Sequence, residues 1–381
     1  MKNLFYLGVL VLVLFEIANV YFIMPLPGSQ EMNSIDAAYF LYSWRWLFRG
    51  AGAVLILLGL NSVFSAGRKW LPALALLLAG LVVYATNLEM AADTMFYQPK
   101  TLLFQKMPQN KVETDRLVIG IEHAGEARAY PVQFLGYHHQ VRDSIGGKAV
   151  LVSYCTVCRT GRVFEPVVNG RPETFRLVGM DHFNAMFEDA TTHSWWRQAT
   201  GEAAAGPLKG TALPEFPSVQ TTLEKWAELH PETLVMQPDP AFQAEYDSLS
   251  NYESGQRKSQ LTRRDTASWQ DKSWVIGIET GGRNKAFDWN DLQRQRIIHD
   301  EIGGQPIVLV LSRDDWSFIA FRRNASQQVF TLSGDTLYDG SQAFDFWGKS
   351  LQPGVSDLER IRAYQEYWHS WQTFHPGQAG E

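Results

Sequence analysis

The sequence predicts an α-helical transmembrane region of three spans, followed by a mainly β (α+β) soluble domain built from two homologous repeats. Residues 1–95 contain three apolar runs, each close to the roughly 20 residues that a helix needs to cross a bilayer. The remainder has period-two alternation and glycine turns at short spacing, which is typical of antiparallel β structure. When the chain is shifted against itself by 157 positions, Val118–Glu122 matches Val275–Glu279 and Asp143–Gly147 matches Asp300–Gly304.

The membrane region is predicted from length and composition. The three runs are Leu4–Met24, Trp46–Phe64 and Leu71–Leu88. The first is interpreted as a retained helix, because it lacks a small-x-small cleavage site and the segment Pro25–Pro27 follows it. The later two carry no charge apart from Arg49 near the start of the second, and this together with their terminal tryptophans favours membrane spans over buried core helices.

The distribution of basic residues predicts how the membrane region is oriented. Lys2 precedes the first span and Arg68–Lys69 lie between the second and the third, whereas Glu89 and Asp93 follow the third. The positive-inside tendency then places the amino terminus in the cytoplasm, although two arginines at the start of the second span oppose this assignment. We therefore expect a bacterial inner-membrane protein whose soluble domain faces the periplasm or the cell exterior.

Charge and motif content narrow the classes of partner. Lys and Arg number 34 against 40 Asp and Glu, giving a net charge of −6, whereas nucleic-acid binding usually requires a basic face. The chain also has no glycine-rich phosphate loop, HExxH, GxSxG or CxxCH motif. The predicted partners are the lipid bilayer and an unidentified protein or small-molecule redox partner, with no nucleic acid.

Four segments are predicted along the chain: the membrane region at 1–95, repeat one at 98–235, a polar connector at 236–266 and repeat two at 267–381. Each repeat should run strand, glycine turn, strand, short helix, strand, Gly-Gly turn and a strongly apolar strand. Further helical patches are predicted at 219–229 and 356–371.

The only two cysteines, Cys155 and Cys158, lie where an apolar strand ends and a turn begins. In the shifted comparison they align with Ser312 and Asp315, so the second repeat has neither. A duplicated scaffold retains in both copies what its fold requires. The two thiols are therefore predicted to form the working site rather than to hold the fold.

Three chemistries fit a CxxC pair. A redox-active pair would have a thiol pKa lowered by nearby cations, for which Arg159 and Arg162 are candidates. A metal site would need a further ligand such as an imidazole. The third alternative is a structural disulfide, which would stabilise the protein modestly because it closes a very short loop.

His139 is the leading partner for the thiols, because it starts the strand that precedes the cysteine strand and aligns with Arg296 in repeat two. The alternative metal site therefore consists of Cys155, Cys158 and His139 and would take copper or zinc. No cofactor is assigned beyond that alternative. Three further residues are candidate soft ligands for copper, although methionine at an apolar position is more typical of a core. They are Met180, His182 and Met186.

Three stretches resemble the DUF3179 proteins, a family defined by a domain of unknown function. They are His139–Asp143, Ser153–Cys158 and Asp189–Gly201, followed by Gly206–Gly210 and His230-Pro231. The family pattern is similar to His-Glu-x-x-Asn-Asp, a Tyr-Cys-Pro-x-Cys corner, and Asp-x-x-Thr-x-Ser-x-Trp-x-Gln-x-x-Gly. Gln140, Arg142 and Thr156 depart from it here.

The resemblance implies redox chemistry at the cysteine corner, because some family members carry selenocysteine there, and selenocysteine is a stronger nucleophile than cysteine. It also draws attention to a second motif, Asp189, Thr192, Ser194, Trp196 and Gln198. These side chains could line a substrate pocket beside the thiols. The alternative, favoured by their spacing, is a hydrogen-bonded turn with Trp196 packed over it.

The sequence thus predicts a membrane-anchored protein with a redox-active cysteine pair. If it is an enzyme, the expected class is a thiol-dependent oxidoreductase; the sequence alone leaves open whether it is one. In this mechanism the more exposed thiolate attacks a disulfide, peroxide or sulfoxide, the second cysteine resolves the adduct, and His139 or Arg159 tunes the thiolate. Cys155 is the expected resolving residue because it ends the strand. The alternatives are a copper or zinc module and a non-catalytic structural or interaction domain.

Overall fold

The computed structural model describes residues 1–65 and 67–375. The helices are α1 Lys2–Tyr21, α2 Ile35–Ser43, α3 Arg45–Phe64, α4 Trp70–Tyr84, α5 Ala92–Met95, α6 Val132–His138, α7 Leu223–Leu229, α8 Gln243–Ser248, α9 Trp289–Gln295 and α10 Trp368–Phe374. Short 3-10 turns cover Ser29–Glu31, Met107–Gln109 and Pro240–Phe242, and a π-helical turn, Ala85–Glu89, extends α4.

The strands of the first half are short and mostly antiparallel. They are β1 Phe104–Lys106, β2 Leu117–His123, β3 Glu126–Pro131, β4 Gln140–Ile145, β5 Lys148–Cys155, β6 Thr160–Phe164, β7 Val167–Val168, β8 Arg171–Pro172, β9 Phe175–Asp181, β10 Asn184–Asp189, β11 Trp195–Arg197, β12 Ala203–Ala205, β13 Val219–Thr222 and β14 Leu234–Met236.

The second half continues in the same manner. Its strands are β15 Trp274–Thr280, β16 Arg283–Asp288, β17 Ile297–Ile302, β18 Gln305–Leu311, β19 Phe318–Arg322, β20 Thr331–Ser333, β21 Thr336–Asp339, β22 Gln342–Phe344, β23 Arg360–Ile361 and β24 Ala363–Tyr367.

The described chain forms two compact units. Unit 1 comprises Met1–Tyr97, Glu173–Arg197 and Gly201–Ala212; unit 2 comprises Gln98–Pro172, Gln198–Thr200 and the rest of the chain from Leu213. Unit 1 therefore combines the N-terminal helices with the sheet β12-β11-β10-β9.

Unit 1 has three helices in its described residues that are long and apolar enough to cross a membrane, Lys2–Tyr21, Arg45–Phe64 and Trp70–Glu89. They agree with the three predicted runs and indicate membrane anchoring. The first helix ends at Tyr21, three residues before the predicted end at Met24.

A polar network joins the three apolar helices of unit 1. The Arg49 guanidinium donates to both carboxylate oxygens of the fully buried Glu16, at 2.6 and 3.0 Å. It also donates to the Asn87 amide oxygen at 2.6 Å, and the Asn87 amide nitrogen donates to Glu16 at 2.9 Å. Each helix contributes one member, so the network fixes how the three helices pack.

The sheet of unit 1 packs on α2. Its buried side chains form one apolar cluster with Ala38 of α2; they are Val178, Met186, Trp195 and Ala205. Gly179 is needed where β9 approaches the first helix–loop segment, since a Cβ atom there would lie 2.4 Å from the carbonyl oxygen of Ile23. This core explains why strands distant in sequence belong with the N-terminal helices.

Unit 2 consists of several small sheets. Their strand orders are β1-β14-β3-β2-β13, β4-β5-β6, β7-β8, β16-β15-β24, β17-β18-β19-β23 and β20-β21-β22. All pairings are antiparallel except β14 with β3. The mainly β character predicted for the soluble region is confirmed.

One succession of elements occurs twice in unit 2. The order β2-β3-α6-β4-β5-β6 is followed later by β15-β16-α9-β17-β18-β19, and the strand registers recur 157 positions apart. For example, Gln140 pairs with Ser153 as Ile297 pairs with Val310. The β4–β5–β6 and β17–β18–β19 strands therefore share one register, whereas the left-handed residue of the connecting corner is Arg159 in the first and Asp315, the counterpart of Cys158, in the second.

Each succession is completed by a strand followed by a short helix, β13-α7 in the first and β24-α10 in the second. The two helices begin 145 positions apart, at Leu223 and Trp368. In each case a tryptophan of the helix packs against a glycine, on β2 in the first succession and on β15 in the second. A Cβ on Gly120 would lie 2.5 Å from Trp226, and one on Gly277 would lie 1.9 Å from Trp371.

Two helical predictions are wrong in part. The prediction for 219–229 is confirmed only from Leu223, because Val219–Thr222 is strand β13 and pairs with β2. The prediction for 356–371 is confirmed only from Trp368, because Arg360–Ile361 and Ala363–Tyr367 are strands β23 and β24.

Candidate functional site

The two cysteines lie at the corner between β5 and β6. Cys155 is the last residue of β5, pairs with Thr160 of β6, and is joined to Cys158 by a disulfide with a Cα–Cα distance of 5.5 Å. That separation lies within the usual range for disulfides. Both cysteines are fully buried, so neither thiol is the more exposed one that the sequence argument required for attack.

The backbone of the corner is held from outside the hairpin. Three consecutive carbonyl oxygens accept hydrogen bonds: Thr156 from the Tyr252 hydroxyl at 3.1 Å, Val157 from Lys272 Nζ at 2.7 Å, and Cys158 from the Tyr367 amide at 2.8 Å. The anchors come from segments about 100 or more residues away. The corner is therefore fixed by tertiary contacts as well as by its disulfide.

His139 ends α6 in a left-handed conformation, with φ of 59°. Its carbonyl accepts from the Tyr154 amide at 3.0 Å, and its Nδ1 lies 3.1 Å from the Tyr154 carbonyl oxygen. These contacts hold the ring beside the residue that precedes Cys155. Burial lowers the pKa of His139 to about 4, so the imidazole is neutral at pH 7.

Arg159 is fully buried and follows the cysteines with φ of 55°. Its guanidinium donates to the Gln365 side chain at 2.9 Å and to the Glu253 carbonyl at 2.8 Å, and it lies 3.6 Å from the centroid of the Trp274 ring. These contacts turn the guanidinium toward the second half of unit 2. They give Arg159 a structural role, while its charge remains close in sequence to Cys158.

The second half of unit 2 closes the equivalent corner without cysteines. Asp314 accepts from the amides of Trp316 at 2.9 Å and Ser317 at 2.8 Å. Arg296, which occupies the position of His139, forms an ion pair with Asp315 and donates to the carbonyl of Ser312. Hydrogen bonds and an ion pair therefore suffice to form this corner.

Most of the second motif belongs to unit 1 and forms a hydrogen-bonded turn. The Asp189 carboxylate accepts from the Thr192 amide and hydroxyl at 2.5 and 2.7 Å, from the Ser194 amide at 3.0 Å and from Trp196 Nε1 at 2.9 Å. Burial raises the pKa of Asp189, but the bonds from Trp196 and Thr192 outweigh it and lower that pKa. These contacts are those of the predicted turn, and the substrate-pocket role stays a prediction.

Gln198 belongs to unit 2 and lies behind the cysteine corner. Its amide nitrogen donates to the Ser153 hydroxyl and to the Thr160 carbonyl, both at 3.1 Å. It thereby bridges β5 and β6 through Thr160, the residue that pairs with Cys155. The sequence motif predicted its involvement but not this bridging position.

Comparison with protein families gives one result. A family model described as a protein of unknown function (DUF3179) matches residues 100–378. The chain belongs to the DUF3179 family. No curated protein and no solved structure matches the chain.

The DUF3179 match spans the cysteine corner, the Asp189 motif and the second succession of strands, and it leaves out the three apolar helices. The resemblance noted in the sequence is therefore confirmed. The family description assigns no activity to the corner.

Lys272 and Tyr252 are the site residues of this DUF3179 domain that sequence reasoning missed. Burial lowers the pKa of Lys272 to about 7, so its ammonium and amine forms are both accessible near neutral pH. Tyr252 lies in the predicted connector, yet it is fully buried and its hydroxyl lies 3.3 Å from that of Tyr154. A polar, loop-like composition gave no signal for either contact.

The described residues provide no preformed site for the copper or zinc ion of the metal-binding alternative. Among residues 1–65 and 67–375, no group of three or more His, Cys, Asp and Glu side chains is arranged to hold a metal ion. Of the additional candidates, Met186 is buried in the core of unit 1 and His182 Nδ1 lies 2.6 Å from an oxygen of Asp181. Met180 lies on β9, also in unit 1.

Proposed function

We propose that this protein is a membrane-anchored redox protein whose Cys155–Cys158 pair cycles between a disulfide and a dithiol. One observation supports the proposal: the two cysteines are bonded at a β-strand corner, and the corner at the corresponding place between β18 and β19 is closed by hydrogen bonds and an ion pair, including those of Asp314 and Asp315. Because the fold closes this corner without a covalent bond, the disulfide is better explained by chemistry than by stability.

The reaction is a two-electron exchange with a thiol-bearing partner. A substrate thiolate attacks one sulfur of the Cys155–Cys158 bond, which breaks and releases the other cysteine as a thiolate. The second substrate thiol then attacks the mixed disulfide. The substrate loses two electrons and two protons and becomes a disulfide, and the protein becomes a dithiol; the reverse direction reduces a disulfide substrate.

Burial of both sulfurs means that exchange requires local opening of the corner. The opening would release the carbonyl contacts to Tyr252, Lys272 and Tyr367 that hold residues 156–158. The Lys272 ammonium, when protonated, would favour the Cys158 thiolate electrostatically, with Arg159 adding positive charge nearby. His139 has a pKa of about 4, so it would tune the Cys158 thiolate as a neutral hydrogen-bond donor and the thiol proton would pass to solvent.

We further propose that unit 2 arose by duplication, with the second copy as a structural partner of the first. The common element order, the shared registers and the paired tryptophan–glycine contacts support this history. In this view the first copy acquired the thiols and His139, and the second retained the scaffold.

The proposed location is the inner membrane of a bacterium, with the soluble region facing the periplasm or the cell exterior. The distribution of basic residues, Lys2 and Arg68–Lys69, supports it. Alkaline phosphatase fused after Glu381 should be active in a bacterial host, because that enzyme needs an oxidising compartment to form its disulfides. An inactive phosphatase together with an active cytoplasmic reporter at the same site would reverse the orientation.

Cysteine variants of the full chain in detergent test the proposed chemistry. Cys158→Ser should abolish oxidation of a reduced dithiol peptide, whereas the double variant Cys155→Ser/Cys158→Ser should keep the circular dichroism spectrum of the native protein. Thr156→Ser, which retains both thiols, serves as the control and should stay active. A double variant that fails to fold would make the disulfide structural. About one equivalent of copper or zinc, lost in Cys158→Ser, would move the protein to the metal-binding class.

A further inference from the structure

A cleft of about 410 Å³ lies in unit 2, away from the cysteine corner in sequence and built by other elements. Its walls include the apolar side chains of Val219, Trp226 and Ile319, and its polar groups include Glu122, His230 and Arg360. The volume falls within the usual range for small-molecule sites.

The recurring order of strands places two corresponding positions in unit 2, one at Gly120, where the cleft lies, and one at Gly277. On β2 Gly120 pairs with Val219 of β13, and on β15 Gly277 pairs with Tyr364 of β24. At the second position the space is filled. The buried Arg162 guanidinium lies 3.3 Å from the centroid of the Tyr364 ring.

Charged partners hold Arg162 in that filled position. Its nitrogens lie 3.6 Å from Glu215, 3.9 Å from Glu279 and 2.7 Å from Glu366. The arrangement is therefore a binding site for a cation, occupied by a side chain of the protein itself.

The cleft differs from the filled position at the two residues whose side chains occupy the space in the latter. Ile319 stands 157 positions after Arg162 and Val219 takes the place of Tyr364, so both the guanidinium and the ring that fill the other position are missing. Glu122, 157 positions before Glu279, is retained.

The second carboxylate is replaced by a cation. Glu215 forms a bridge with Phe164 beside β6, and at the matching place Arg360 pairs with Phe321 of β19. The Arg360 Nε donates to the Trp347 carbonyl at 2.9 Å, which fixes the guanidinium at the cleft. Glu366, which pairs with Val275, is matched by Thr221, which pairs with Val118. Where the filled position presents three carboxylates, the cleft therefore presents one carboxylate and one guanidinium.

We propose that this cleft binds a small zwitterion with an apolar body, of the class of free α-amino acids with aliphatic side chains. The ligand ammonium would lie on Glu122, as Arg162 lies beside Glu279, and its carboxylate would lie on Arg360, where a guanidinium can donate two parallel hydrogen bonds. The aliphatic side chain would contact Val219, Ile319 and the Trp226 indole.

The His230 ring completes the recognition. It lies 4.2 Å from the Trp226 ring, centroid to centroid, and its counterpart His375 is stacked on Trp371 and hydrogen bonded to Glu279 at 3.2 Å. The His230 ring is tilted by 44° to that of Trp226, whereas the His375 ring lies 12° from that of Trp371, so His230 lines the cleft as a further polar group. The Glu122 carboxylate accepts from the Gly125 amide at 3.1 Å.

Isothermal titration calorimetry on the full chain in detergent tests the proposal with three matched probes. L-Leucine carries both charges, 4-methylpentanoate lacks the ammonium, and 3-methylbutylamine lacks the carboxylate. We expect saturable binding of L-leucine and binding of either analogue weaker by about tenfold or more, because each leaves one charged group of the cleft unpaired.

Variants separate the two ends of the ligand. Arg360→Gln should weaken L-leucine binding by about tenfold or more while leaving 3-methylbutylamine binding unchanged, and Glu122→Gln should do the reverse with 4-methylpentanoate. Arg294→Gln, an exposed arginine on α9, is the matched control and should leave all three unchanged. Absence of L-leucine binding to the native chain, or equal binding of L-leucine and 4-methylpentanoate, would overturn the proposal.

Discussion

Glu253 is the residue whose ionisation opposes folding most clearly in unit 2. It is 6% exposed, and one of its carboxylate oxygens accepts from the Leu117 amide at 3.0 Å. Burial raises the pKa of this carboxyl to about 7 against the stabilising effects of that bond and of Arg116 and Arg159. Its carbonyl also anchors Arg159, so the residue connects the predicted connector to the cysteine corner.

We predict that Glu253→Gln stabilises the protein above pH 7. The folded pKa of Glu253 lies above its unfolded value, so the stability linked to its protonated form is complete below about pH 4.5 and is lost as the pH rises through about 7. Glutamine keeps the neutral form at every pH. The free energy of unfolding at pH 8 should rise by about 1–3 kcal/mol, and the gain should disappear below about pH 4.5.

Chemical denaturation of the full chain at pH 4.5 and pH 8 measures this difference. Glu113→Gln is the matched control, because that side chain is 74% exposed and a surface ion pair contributes little. A Glu253→Gln variant less stable than the native chain at pH 8 would show that the ionised carboxylate is instead stabilised by its neighbours.

Some residues of the candidate site could be singled out by comparing the chain with itself at a shift of 157 positions. The shifted comparison marked Cys155, Cys158 and His139 because their counterparts are different residue types. It could not mark Lys272 or Tyr252, whose contacts to the corner join segments about 100 residues apart and follow no local pattern.

At the scale of elements, the network of Glu16, Arg49 and Asn87 is the main polar connection among the apolar helices. A buried charge without its partner is costly, whereas a buried pair replaced by apolar side chains of similar size is often tolerated. Because the three residues lie on three helices, removing one of them affects how all three pack.

We predict strong coupling between Glu16 and Arg49. Glu16→Leu alone should destabilise the detergent-solubilised protein by about 3–5 kcal/mol, since it leaves the Arg49 guanidinium without its carboxylate. Glu16→Leu/Arg49→Leu should recover most of that loss. A double-mutant cycle on unfolding measures the coupling, and additive losses from the two changes would show that the pair acts independently.

Element boundaries show what local patterns can and cannot predict. Strands β2 to β5 and the short helix α6 were predictable because alternation and Gly turns mark them. The error at 356–371 arose because the aromatic and polar residues of β24 are compatible with a helix. Pairing of Gln365 and Glu366 with β15 decides the outcome, and that pairing is a tertiary effect.

At the scale of the whole molecule, the division into units was the least predictable feature. The sequence placed 173–212 within repeat one, because the family motif continues through it. In the folded chain its strands share a core with α2, where Trp195 lies 5.2 Å from Tyr39, centroid to centroid. Alternation indicates that a strand has an apolar face, but it does not indicate which element will cover that face.

The redox activity proposed for the Cys155–Cys158 bond can be measured as a reduction potential. Equilibrium titration of the full chain in detergent against glutathione and dithiothreitol buffers, with thiols trapped by a maleimide reagent, tests it most directly. The two cysteines are the only ones in the chain, so every trapped thiol reports on this pair. We predict a reversible two-electron transition above about −300 mV, with the same circular dichroism spectrum in both forms. A bond that resists reduction to below about −300 mV, or whose reduction unfolds the protein, would contradict the claim and identify a structural disulfide.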